Sequence, residues 1–115
     1  MAKKKKITTD DKLKEFSDLL SNLKHTEDKK KLLWKEAYQN AIEDRESASI
    51  LVNDLLVIIP GSMAHHQSVG VLMTKYLERL AKCNDQILKL AELIAKEQEK
   101  DMQVSSDDIF DKIGN

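Results

Sequence analysis

One proline in the whole chain, Pro60, stands directly before Gly61, and two long periodic segments flank the pair. No other feature constrains the fold as tightly. Upstream, apolar residues recur at steps of three and four from Leu32 and Leu33 through Trp34, Tyr38, Ile42, Leu51 and Leu55 to Ile58. Downstream the same spacing runs through Val69, Leu72, Met73, Tyr76, Leu80, Ile87 and Ile94. That spacing places the apolar side chains on one face of a helix. Pro60 lacks an N–H and its ring clashes with the preceding turn, while Gly61 accepts the positive φ of a cap or turn. The chain is predicted to form helices over roughly 27–59 and 63–99, each about 50 Å long at 1.5 Å per residue. With so short a link they must lie antiparallel.

Composition agrees. Three glycines, one proline and 4% aromatics leave a core of Leu, Ile, Val, Ala and Met, a mixture that favours long helices over sheets. The expected fold is all-α: a long antiparallel, coiled-coil-like helical hairpin with a short N-terminal helix, in an oligomer. Thr8 with Asp11 three residues on is a weak capping-box match, and Leu13, Phe16, Leu19, Leu20 and Leu23 follow at helical spacing. Residues 21–26 read as a break, with Thr26 as the N-cap of the next helix. After Lys100 the pattern stops. Residues 101–105 read as a linker and 105–113 as a last short turn capped by Ser105 or Ser106. Three regions result: a basic arm and short amphipathic helix over 1–25, a hairpin over 26–100 and an acidic tail over 101–115.

The hairpin's stripes are wider than a narrow seam between two helices needs. Trp34, Tyr38, Met73 and Tyr76 cannot all hide there. Either the Leu13–Leu23 helix covers the surplus or neighbouring copies do. Candidate oligomer-interface residues are Trp34, Tyr38, Leu51, Leu55, Ile58, Leu72, Met73, Tyr76, Leu80 and Ile87.

The charges are segregated. Residues 1–30 carry nine basic and six acidic groups, and residues 101–115 one basic and four acidic, within a net charge of −1. Lys3, Lys4, Lys5 and Lys6 are the candidate DNA contacts, because clustered lysines neutralise backbone phosphates without reading sequence. A solubilising terminus explains the same four lysines. Ile109, Phe110 and Ile113 punctuate the acidic tail and are candidate partner contacts.

No catalytic constellation or phosphate-binding glycine loop is present, and no cofactor is expected. His65, His66 and Cys83 are the one conceivable metal set, but adjacent histidines are not a helical clamp. They read as histidines near the hairpin tip and a packing cysteine, and His25 as a residue of the break. Glu43 and Glu46 read as a solvated face. Cys83 is alone, which excludes an intrachain disulfide and points to a reducing compartment. No apolar run is long enough for a membrane span, and no apolar signal region follows the basic start.

From Leu32 to the C-terminus the chain resembles the small terminase subunits of T4-like tailed phages. The residues that carry this are Asp44-Arg45-Glu46-Ser47-Ala48, the turn Ile59-Pro60-Gly61-Ser62, Ser68-Val69-Gly70-Val71-Leu72-Met73, Asn84-Asp85-Gln86-Ile87-Leu88-Lys89-Leu90, and the tail Ser105 to Ile113. The resemblance implies a non-enzymatic regulator of viral DNA packaging in the host cell cytoplasm. Its hairpin would assemble into a ring, with double-stranded viral DNA and the large terminase subunit as partners. The alternative is a helical adaptor or chaperone, a dimeric four-helix bundle with no DNA role.

Overall fold

The computed structural model describes residues 7–58 and 63–113, without the side chains of 63–66 and 107–112. The described chain is all-helical: α1 Thr9–Ser21, α2 Asp28–Ile58 and α3 Met63–Ile113. The Pro60–Gly61 turn lies outside the described residues, which bear helix on both sides of it.

α1 starts at a complete capping box. The Asp11 N–H donates to Thr8 Oγ1 and the Thr8 N–H donates back to Asp11 Oδ2, both at 3.1 Å. The Thr8 backbone bond, then its hydroxyl, holds the Asp11 carboxyl below its usual range. The shorter Asp thus does the work usual for Glu. The helix stops at Ser21, where the break was expected.

α2 opens one residue later than a Thr26 cap would set, with the Lys31 N–H donating to Glu27 O at 3.1 Å. Thr26 does not cap it. Its hydroxyl donates to Glu97 Oε2 of α3 at 3.1 Å.

α3 differs most from expectation. No linker follows Lys100, and one helix runs unbroken to Ile113. The physical reason is that nothing stops it. No glycine or proline occurs between Gly70 and Gly114, and Asp101 is not a breaker but a partner for the chain that precedes α2.

Along α2 the less exposed residues are Lys31, Trp34, Tyr38, Ala41, Ile42, Asp44, Arg45, Ala48, Val52 and Leu55. Along α3, among the described side chains, they are Val69, Gly70, Met73, Tyr76, Leu80, Cys83, Ile87, Leu90, Leu93, Ile94, Glu97 and Asp101. Most of these positions recur at steps of three and four, the stripe that forms the seam between α2 and α3, and Ile42, Asp44, Gly70 and Leu93 flank it.

The chain divides into two compact units: the described residues of Met1–Ala37 with Lys89–Asn115, and those of Tyr38–Leu88. α2 and α3 contribute to both. In the first unit α1 supplies the third layer. Phe16, Leu20 and Leu23 are buried, as are Leu90 and Ile94 of α3.

The second unit consists of α2 and α3 segments alone. Its buried residues are Ala41, Ile42, Ala48, Val69 and Cys83. Small side chains at Ala41, Ala48 and Cys83 allow close approach of the helices, and Cys83 at 2% exposure is the packing residue its sequence context suggested. Ala48→Leu would therefore overpack the seam. We expect a loss of about 1–3 kcal/mol, read as a lowered urea midpoint; an unchanged midpoint would show a looser seam than this.

Gly70 occupies the interior of α3, where glycine costs about 1 kcal/mol relative to alanine. A Cβ built there meets nothing within 4 Å. Among the described residues nothing requires this position to lack a side chain.

Candidate functional site

The richest polar cluster lies in the first unit, where the connection before α2 meets α3. The Asp101 carboxylate accepts the Lys24 N–H at 2.9 Å and the His25 N–H at 3.2 Å. His25 Nδ1 stands 2.8 Å from Asp101 Oδ1. An ionised carboxylate only accepts, so Nδ1 carries the proton in this contact. The Lys24 backbone bond, followed by the His25 side chain, holds the Asp101 carboxyl below its usual range. Anchoring two successive N–H groups satisfies donors that a turn otherwise leaves to water.

One turn earlier on α3, Glu97 is buried at 8% exposure. Burial alone would raise its pKa. The Thr26 hydroxyl, then Lys100 and Lys30, outweigh burial and lower it. Lys30 Nζ and Lys100 Nζ lie 3.5 and 3.6 Å from Glu97 Oε1. Lys30 also sits 5.7 Å from the centre of the Trp34 ring, within cation–π range. Lys31 Nζ donates to Leu23 O at 2.7 Å, a further tie across the break.

Three grooves border this cluster, one of them, about 340 Å³, lined by Asn22, Lys24, Asp101, Met102 and Ser105. Another, of about 550 Å³, is lined by His25, Thr26, Lys30, Glu97, Lys100 and neighbours. The third, about 430 Å³, runs over Trp34, Leu93 and Lys96. The chemistry is that of a clasp. Thr26 Oγ1 is committed to Glu97, so the His25–Asp101 pair does not continue into a hydroxyl nucleophile at Thr26. Among the described residues no group of three His, Cys, Asp or Glu is placed to hold a metal. No described helix is long and apolar enough to cross a membrane.

Sequence reasoning missed the clasp. His25 gave no signal because its partner lies 76 residues away. The available hint was a pair of acids, Glu97 and Asp101, in phase with the apolar stripe of α3.

The sequence-derived interface residues separate into two sets. Trp34, Tyr38, Leu55, Met73, Tyr76, Leu80 and Ile87 sit in the seam positions and are half-buried. Leu51, Ile58 and Leu72 stand outside the seam, 40%, 47% and 43% exposed. Glu43 is exposed and accepts from Gln39, and Glu46 is exposed. The Lys3–Lys6 set lies outside the described residues, as do the side chains of His65, His66, Ile109 and Phe110. The backbone of 109–113 is the end of α3, and Ile113 is 78% exposed.

Protein-family models, curated proteins and solved structures were compared with the chain, and none matches.

Proposed function

We propose that this chain is a non-enzymatic regulator of viral DNA packaging, of the kind small terminase subunits represent. Its long helices form a coiled-coil-like hairpin, and copies of that hairpin assemble into a ring in the host cell cytoplasm. Lys3–Lys6 contact double-stranded DNA, and the acidic end bearing Ile109, Phe110 and Ile113 contacts the large subunit.

The observation that carries this reading is the surplus apolar surface of the second unit. The first unit, where α1 packs, also leaves Leu32, Leu33 and Met102 exposed. In the second, Ile50, Leu51, Leu56, Val57, Ile58, Val71, Leu72 and Leu77 are each at least 40% exposed. Exposure on this scale in two adjacent helices marks an association surface. Charge supports the division of labour. Without the four arm lysines, 15 basic residues face 20 acidic ones, so attraction to phosphate falls to the arm.

Native mass spectrometry and light scattering test the assembly. A closed ring of more than two subunits is expected; a dimer would favour the adaptor, and a monomer would sink self-assembly. In DNA binding titrated with salt, deleting Lys3–Lys6 should flatten the log–log salt dependence by about 3–4 units, if each lysine displaces one counterion. An unchanged slope would remove DNA contact from the arm.

A further inference from the structure

We propose that the hairpin copies associate head to tail, with the Gly70 side of one second unit receiving the Leu51–Leu72 side of the next. This rests on the self-assembly reading and specifies the two surfaces it uses.

The two sides are fixed by an ion pair. Arg79 Nη2 lies 2.7 Å from Asp44 Oδ2, joining the positions just before a seam residue on each helix, Leu80 and Arg45. Leu51 and Leu72 are one heptad further along α2 and one heptad back along α3, so they share that side. Ile58 extends it. All three are exposed.

The opposite side holds Ser49 and Leu56 of α2 with Gly70 and Leu77 of α3, each just after a seam residue. Leu56 and Leu77 are 51% and 50% exposed. From Ser49 to Leu56 and from Gln67 to Leu77, the outward positions on this side contain no charged residue, in a chain that is 34% charged. Charge returns beyond this stretch, at Glu46 and Glu78, and the Arg45 guanidinium is bonded to Asn84. Thr74 turns its hydroxyl into its own helix, donating to Gly70 O at 2.9 Å. Interface cores are depleted of charge in this way.

Gly70 is the independent observation. It weakens the helix interior, yet the space where its side chain would stand is open in this chain. An occupant from outside explains both facts, because only a missing Cβ lets another side chain or helix approach the backbone closely. The dimensions fit a second copy. Two helices side by side, about 30 Å long and 20 Å across, offer on the order of 600 Å² per partner, near the lower bound of stable interfaces. Face-to-face pairing of two Gly70 sides would close a dimer and leave Leu51, Ile58 and Leu72 uncovered. Pairing unlike sides covers both, and a contact between unlike surfaces propagates from copy to copy, closing as a ring where its rotation closes.

The test uses two full-length variants, Leu77→Glu and Leu51→Glu, each at an exposed site, with helical content checked by circular dichroism. Each variant alone is expected to be monomeric where the unaltered chain assembles. An equimolar mixture should yield a 1:1 dimer and nothing larger, through the one intact pair of surfaces. Gly70→Ala should weaken assembly about tenfold or more. If Leu51→Glu alone still dimerises, the association is face to face and the proposal is overturned. Wild-type-sized assemblies from both variants, or unchanged assembly with Gly70→Ala, would also overturn it. An unaltered chain that stays monomeric would instead defeat the underlying self-assembly reading.

Discussion

Leu20→Ala should destabilise the first unit by about 2–5 kcal/mol, the range for truncating a buried leucine. Leu20 is 3% exposed and, with Phe16, forms the apolar face that α1 presents to its unit, and Leu23 just past the helix is buried as well. α1 has 13 residues. A helix of that length is marginal alone and depends on its packed face rather than on propensity. Losing Leu20 therefore costs more than the methyl groups removed, because the capping box cannot hold α1 by itself. Hydrogen exchange is the informative measurement. Amides of α1 should lose protection first, while those of Tyr38–Leu88 change little. Equal loss throughout would mean that α1 is not the local weak point and that the two units unfold as one.

Glu97→Ala should be the most damaging change to the clasp, at about 1–3 kcal/mol. It leaves the buried Thr26 hydroxyl without its acceptor and removes the shared partner of Lys30 and Lys100. Glu97→Gln keeps an acceptor for Thr26 and should recover part of the loss, which separates the hydrogen bond from the charge. The same cluster sets a pH dependence. Glu97 and Asp101 both have folded-state pKa values below their ordinary ones. Their stabilising contribution is thus fully present above the unfolded values of about 4.3 and 3.9. It is lost as pH falls through the lower folded values, since protonation then favours the unfolded state. Acid titration followed by hydrogen exchange or circular dichroism should show the 22–27 connection and α1 loosening below about pH 4. Asp101→Asn should reduce the part of this transition that Asp101 supplies. A first unit equally stable at pH 3 and pH 7 would contradict the assignment.

Neighbours in the chain determined most of the helical architecture. Propensity, apolar spacing and a capping box within four residues are local physics, and they gave α1, the break and the described span of α2 within a residue or two. The end of α3 was not legible in the same way. An acid, Asp101, and a serine pair read as a stop because their local preferences point to caps. In the folded chain Asp101 satisfies two N–H groups more than seventy residues away, and α3 continues past it.

The candidate interface was legible as a list of residues but not as a surface. Apolar spacing cannot tell a seam residue such as Met73 from an outward one such as Leu72, because they are adjacent and equally apolar. Only the pairing of α2 with α3, pinned by Asp44 and Arg79, assigned each to its side. The clasp was the least legible feature, since His25, Thr26, Glu97 and Asp101 are ordinary polar residues until two distant stretches meet. The sequence by itself determined that this chain makes helices and where α1 begins and ends, because those are contests among neighbours. The tertiary structure decided which carboxylates are buried and paired, which apolar side chains the chain covers itself, and that Gly70 leaves open space within it. Those depend on what stands opposite, and no local pattern carries that information.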